Sequence, residues 1–175
     1  MNSMKATHIA LVVAAVVATA AAAAFAALYF TKDSGNKSAT AQQCENRIFG
    51  HVSSLTRKGT RYEMRFDPAW FTSGETANVA AAEDGVIAPG EPMPNDNYVI
   101  DEGHRLLTYL VPPDAHVTVL TNNNTGILST PIAVSELAQL VKGEKPIKLF
   151  EPLDTGFWMR FHVDTVCALD QQYHP

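Results

Sequence analysis

The sequence lacks the short motifs by which many enzymes are recognised. Its six histidines include no His-x-His or His-Glu-x-x-His pair, and neither a Gly-x-Ser-x-Gly elbow nor a phosphate-binding glycine loop occurs. Motif-based assignments to metalloproteases, serine hydrolases and P-loop proteins are therefore excluded. The sequence predicts no metal and no cofactor. It leaves catalytic residues unknown, because triads assembled from distant positions leave no local pattern.

Basic side chains are scarce after residue 41. From Gln42 onward, ten Lys and Arg stand against seventeen Asp and Glu, which gives this part a formal charge of −7. Nucleic acids and anionic lipids are bound largely through phosphate neutralisation by Lys and Arg. The acidic balance disfavours both as partners, and we expect no nucleic-acid binding.

Charged side chains are absent between Ile9 and Phe30. As a helix this run would be about 33 Å long, which is enough to cross a bilayer. Lys5 and the amino terminus precede it, so the positive-inside tendency predicts a cytoplasmic N-terminus and an extracytoplasmic remainder. Residues 1–31 are thus predicted to be a signal anchor or a signal peptide.

The sequence leaves cleavage of this segment open. The run is longer than the apolar core of a secretory signal, about 7–15 residues, which favours an anchor retained in the cytoplasmic membrane. Small-x-small patterns at Ala24–Ala26 and Ala39–Ala41 allow cleavage instead, and the protein would then be secreted. Residues 32–43 are rich in Lys, Ser, Asn, Thr and Gln, which predicts a flexible tether.

Cysteine is limited to Cys44 and Cys167, at the two ends of a single predicted extracytoplasmic domain over residues 44–175. An exported chain meets an oxidising compartment, so we predict a disulfide between them; two unrelated thiols are the alternative. In the chain-entropy model, a loop this long stabilises the fold by about 5 kcal/mol. The bond requires the first and last strands to be neighbours, with Cα atoms within about 7 Å.

Alternation of apolar and charged residues predicts a mainly β (α+β) domain. The clearest strand, Arg61–Asp67, is predicted to pair with Ile48–Leu55. Further hairpins are predicted from Arg105–Val111 to Ala115–Leu120 and over Phe157–Tyr173, and short helices over Glu75–Glu83 and from Ser135 to Gly143. The expected fold is a small antiparallel barrel resembling the OB-fold, with two short helices, after an N-terminal transmembrane or signal helix.

Several short segments resemble, in matching order, a family of uncharacterised exported bacterial proteins with a small OB-like β domain. They are Trp70–Gly74, Ala81–Gly85, Pro94–Tyr98, Asp101–Glu102 and Asp170–Tyr173, within a resemblance that spans roughly residues 50–175. That family carries no established activity. The resemblance therefore implies export and a compact domain, and it assigns no catalytic residue.

Acidic residues crowd the central part of the chain. They are Glu83, Asp84, Glu91, Asp96, Asp101 and Glu102, with Asn95 and Asn97 among them. Calcium takes six to eight oxygen ligands of this kind. The spacing matches no EF-hand loop, and acidic loops are usually only solvated, so calcium binding is left open.

Aromatic residues near strand ends and in this central region are suited to stacking on a sugar or holding a peptide. Together with the acidic residues they give the candidate binding positions Trp70, Tyr98, Asp101, Glu102, His104 and Trp158. We expect a non-enzymatic binding or interaction module at the cell envelope, whose partner is an envelope glycan or protein. The alternative is an envelope hydrolase with its site in the Asp101–His104 region.

Overall fold

A computed structural model of the chain describes residues 44–101, 103, 106–123 and 125–174. The predicted N-terminal segment (1–31) and tether (32–43) lie outside these residues, and so do Glu102 and His104. No helix within the described ranges is long and apolar enough to span a membrane.

The described chain forms strands and two α-helices, so the prediction of a mainly β protein with two helices is confirmed. In chain order they are β1 (Asn46–Lys58), β2 (Arg61–Ser73), α1 (Gly74–Glu83), β3 (Asn97–Ile100), β4 (Leu107–Val111), β5 (His116–Asn123), β6 (Gly126–Ile132), α2 (Val134–Val141), β7 (Phe157–His162) and β8 (Thr165–Gln171). A short 3-10 turn at Leu153–Thr155 precedes β7.

Five of these strands close into a barrel. β1 pairs antiparallel with β2 and with β7, β2 pairs with β4, and β7 pairs with β8. The ring is completed where β4 runs parallel to β8 at the bridge between Leu110 and Thr165. The predicted closed barrel is therefore confirmed.

The barrel interior holds the apolar face of each strand. Tyr62, Met64 and Phe66 of β2 are buried, as their alternation with charged neighbours predicts. They pack against Phe157 and Met159 of β7 in one hydrophobic core, which α2 joins through Val134, Leu137, Ala138 and Leu140.

Gly50 is the point at which β1 loses its pairing with β7. The ladder with β7 ends there, whereas the ladder with β2 continues to Lys58. A Cβ atom at Gly50 would collide with the Asp67 carbonyl oxygen and the Phe66 ring, so only glycine permits this approach of β1 to β2. A register irregularity follows between Val52 and Ser54, and such bulges bend a strand and increase its twist.

The predicted hairpin between Arg105–Val111 and Ala115–Leu120 is wrong. β4 and β5 do not pair with each other; both run parallel to β8, β4 at Thr165 and β5 at residues 168–170. The antiparallel partner of β5 is β6, which the sequence analysis did not identify as a strand. β6 lies at the edge of the sheet and is largely exposed, so it lacks the apolar alternation that burial of one face imposes.

The predicted disulfide is present between Cys44 and Cys167, with their Cα atoms 6.2 Å apart. Phe161 of β7 pairs with Asn46 on one side and with Val166 on the other. Cys44 lies two residues before Asn46 and Cys167 directly follows Val166, so the two cysteines meet across the end of β7. Pairing of β1 and β8 with the two edges of β7 is therefore what brings the two ends of the domain within bonding distance.

Candidate ligand-binding groove

Two of the predicted binding residues, Trp70 and Tyr98, lie on the ribbon formed by β2 and β3. Trp70 is opposite Ile100 and Tyr98 is opposite Thr72, so alternation places Trp70 and Tyr98 on the same face. The Trp70 side chain is 62% exposed. The Tyr98 hydroxyl donates a hydrogen bond to Asp84 Oδ2 at 2.8 Å, and this bond, together with partial burial and the charge of Asp84, raises the pKa of Tyr98.

The predicted acidic site at Asp101–His104 is described only in part. Asp101 is exposed, and its Oδ1 accepts a hydrogen bond from the Gly103 N–H at 2.9 Å, as in an Asx turn. Glu102 and His104 are outside the described residues. Within the described part of the chain, no three His, Cys, Asp or Glu side chains converge as a metal site would require.

Trp158 belongs to a different surface from Trp70. Its ring contacts Phe49 and Phe71 at centroid distances of 5.3 and 5.7 Å, and Phe71 lies on the opposite face of β2 from its neighbour Trp70. The Arg47 guanidinium covers the Trp158 ring at 4.0 Å, while the indole N–H donates to Gln172 Oε1. The predicted aromatic set is therefore split between two faces, and Trp158 serves a packed cluster.

The structure offers another site, a groove of about 760 Å³ beside β1. This volume lies within the range of pockets that hold small ligands or side chains, about 300–1,000 Å³. Most of its lining surface is apolar, and six aliphatic residues contribute to it: Val52, Leu140, Val141, Ile147, Leu149 and Leu153. Gly143 and six polar or charged residues complete the lining: His51, Ser53, Glu144, Lys145, Lys148 and Asp154.

One wall of the groove is the C-terminal end of α2 and the segment that follows it. α2 ends in a Schellman motif, in which the Gly143 N–H bonds the Leu140 carbonyl and the Glu144 N–H bonds the Gln139 carbonyl. Gly143 adopts φ +85°, a left-handed conformation that glycine accepts without strain. The chain therefore turns sharply and runs back past β1 as residues 144–149.

A buried glutamine holds the opposite wall. Gln171 at the end of β8 accepts a hydrogen bond from the Leu120 N–H at 2.9 Å and donates one to the Pro152 carbonyl at 2.9 Å. Its amide also lies 3.1 Å from the Thr155 hydroxyl. These bonds fix the 3-10 turn that carries Leu153 and Asp154, so both walls of the groove are anchored to the barrel.

β1 forms the third side of the groove. Its ladder with β7 ends at Gly50, and among the described residues no strand pairs with that edge of β1 from His51 onward. The rim carries charges of both signs, since Glu144 and Asp154 accompany Lys145 and Lys148. An extended backbone segment placed along this edge would find apolar side-chain space beside it.

The groove has no recognisable pattern in the sequence, for a physical reason. Its lining comes from three separated segments, residues 51–53, 140–149 and 153–154. Aliphatic residues in each segment are indistinguishable from core positions until the fold brings them together. Only the predicted end of α2 at Gly143 pointed to one of its walls.

Comparison with known proteins gives no relative: no family model, curated protein or solved structure matches the chain significantly. The resemblance to exported bacterial proteins accordingly stays a prediction.

Proposed function

We propose that this chain is a non-enzymatic binding module of the cell envelope, whose groove holds an extended apolar peptide segment of a partner protein. The observation that carries the proposal is the groove itself, an aliphatic cleft bordered by an unpaired strand edge. Peptides bind such edges by adding a strand, because main-chain hydrogen bonds give affinity and adjacent pockets select side chains.

We also propose that the five-stranded barrel is of the OB type. The supporting features are the order β1-β2-β4-β8-β7 around the ring, the single parallel contact between β4 and β8, and a helix placed before the last two strands. The OB-type barrel would then contain two insertions, the segment from α1 to β3 and the β5–β6 hairpin. OB-type barrels are common binding scaffolds, and their ligands are held by loops and strand faces.

A protein partner is favoured over a glycan by the chemistry of the groove. Sugars stack on exposed aromatic rings, and among the described residues no Trp, Tyr or Phe lines the groove. Trp70 is exposed, but it lies on the β2–β3 ribbon and does not line the groove. Aliphatic lining with charges of both signs at the rim instead suits a peptide that presents apolar side chains between polar ones.

The proposed location follows from the N-terminal segment. Residues 1–31 as a signal anchor would hold the domain outside the cytoplasmic membrane, on the tether of residues 32–43. The disulfide between Cys44 and Cys167 supports an oxidising compartment. The partner would then be a protein of the envelope.

Selection of peptides from a displayed random library on the full-length chain tests the proposal. We expect enriched peptides with alternating aliphatic residues. Replacement of the half-buried groove residue Ile147 by Asp should abolish their binding, because a charge would enter an apolar site. Val79→Asp is the control for the added charge, since Val79 is an exposed aliphatic residue outside the groove.

Two results would overturn the proposal. One is peptide binding that survives Ile147→Asp, and the other is selective binding of envelope glycans that depends on Trp70. The hydrolase alternative is tested alongside, by a screen of glycan, ester and peptide substrates. Turnover that disappears in Asp101→Ala or His104→Ala would replace a binding function with a catalytic one.

A further inference from the structure

β6 is an edge strand of the sheet. It follows β5 in the strand order and has no second neighbour among the described residues. Most of its residues are exposed, including the large aliphatic side chains of Ile127 and Leu128, at 39% and 43%. An edge of this length with exposed apolar residues is a template for pairing with another strand.

The hydrogen-bond pattern of β5 identifies which groups of β6 point outward. Leu120, opposite Ser129, uses its N–H for Gln171 and its carbonyl for Phe150, so it does not bond to Ser129. Antiparallel ladders alternate between bonded and non-bonded pairs. Ile127, Ser129 and Pro131 therefore direct their backbone groups away from β5. Pro131 lacks an N–H, which fits an outward position on an edge strand.

The β5–β6 hairpin is also free of charge. From Val117 to Ser135 the sequence contains no Asp, Glu, Lys or Arg, in a chain whose part after residue 41 has a formal charge of −7. Natural edge strands commonly carry charges that prevent pairing. Two copies of an acidic chain repel each other on average, and pairing through this edge would bring no charged residue of the hairpin against its copy.

We propose that a second copy of this chain pairs with β6, antiparallel and centred on Ser129, so that the sheet continues across a twofold axis. The two Ser129 residues would exchange both backbone hydrogen bonds. Each Ile127 N–H would reach the Pro131 carbonyl of the other copy. The arrangement is self-complementary, as a twofold interface requires, and it leaves the groove beside β1 unoccupied.

Light scattering and sedimentation of the full-length chain in mild detergent test this proposal. We expect a dimer that dissociates on dilution. Ser129→Pro removes an outward N–H without removing a bond to β5. The substitution should raise the dissociation constant of the dimer about thirtyfold, because two hydrogen bonds across the axis would be lost. Ser129→Lys, which places two like charges at the axis, should give a monomer.

The controls separate pairing from general effects of charge and from association through the N-terminal segment. Thr60→Lys adds the same charge at the exposed β1–β2 turn and should leave the dimer intact. Ser129→Cys should form an intermolecular disulfide on oxidation, because the paired residues would lie about 5.5 Å apart between Cα atoms, and Thr60→Cys should not. A monomer at all concentrations, or a dimer unchanged by Ser129→Pro and Ser129→Lys, would overturn the proposal.

Discussion

The barrel and the α1–β3 insertion (Gly74–Ile100) are stabilised in different ways. The barrel interior is filled by large side chains such as Phe66, Phe157 and Met159, which are fully buried. In the insertion, the fully buried apolar residues are Ala77 and Ala81. Burial of alanine contributes little, since the hydrophobic free energy is roughly proportional to the apolar area removed from water.

Discrete hydrogen bonds hold the insertion instead. Asn78 Oδ1 accepts a bond from the Met93 N–H at 2.7 Å, and Tyr98 bonds Asp84 across the end of α1. α1 itself is terminated at Gly85, whose N–H bonds the Ala82 carbonyl. The comparison indicates that the barrel unfolds as one unit, whereas the insertion opens locally at a lower free energy.

Loss of the disulfide should have the largest effect, and it should act on the barrel. Replacement of Cys44 and Cys167 by Ser removes the covalent link between the two ends of the barrel. The chain-entropy model gives a loss of about 5 kcal/mol in the free energy of unfolding. Denaturant unfolding of the variant and the parent measures it. Equal midpoints would show that the bond does not stabilise the fold.

Truncation of a barrel side chain should have the next largest effect. Phe66→Ala leaves a cavity in the core and should lower the free energy of unfolding by about 3–5 kcal/mol. Val79→Ala on the exposed side of α1 is the control from the insertion, and its effect should stay within about 0.5 kcal/mol. Similar losses in the free energy of unfolding of the two variants would contradict the conclusion that large buried side chains stabilise the barrel but not the insertion.

Removal of a polar contact should open the insertion and leave the barrel unchanged. Asn78→Ala takes the acceptor from the Met93 N–H. A hydrogen bond of this kind is worth about 1 kcal/mol, so exchange of that amide should accelerate about fivefold. Asn78→Asp keeps an acceptor and serves as the control. Equal acceleration of barrel amides in Asn78→Ala would mean that the two regions open together.

Alkaline titration compares the two regions through one tyrosine in each, Tyr98 in the insertion and Tyr109 in the barrel. The pKa of Tyr98 is raised above 10.0, first by its hydrogen bond to Asp84, whereas the pKa of Tyr109 in the barrel is raised by burial. Asp84→Ala should lower the pKa of Tyr98 and leave that of Tyr109 unchanged, as followed by tyrosinate absorbance with Tyr98→Phe as reference. An equal change in the pKa of Tyr98 and Tyr109 would contradict the assignment of separate causes to the two residues.

The sign of the pH dependence follows from the raised pKa of Tyr98. Its folded-state pKa exceeds that of the unfolded chain, so the contribution to stability is complete below about pH 10. It is lost as the pH rises through the folded-state pKa. The hydrogen bond from Tyr98 to Asp84 should therefore stop stabilising the insertion once the pH exceeds that pKa.

The same comparison explains what the sequence could predict. Tyr62, Met64 and Phe66 alternate with charged residues because one face of β2 is buried, and that pattern predicted the strand. β6 is exposed on both faces, so no such pattern exists, and its pairing with β5 was missed. The disulfide was predictable because the sequence contains only two cysteines, Cys44 and Cys167, which leaves one pairing within the chain. The groove was not, since it depends on where three distant segments meet.

Hydrogen exchange of the full-length chain, with and without a peptide selected by display, tests the central claim most directly. The account predicts that the peptide protects the amides of residues 51–53 and of residues 143–149 around the groove. It also predicts that Ile147→Asp removes this protection, while Val79→Asp retains it. Protection confined to the β2–β3 ribbon around Trp70, or none near β1, would contradict the assignment of the groove as the binding site.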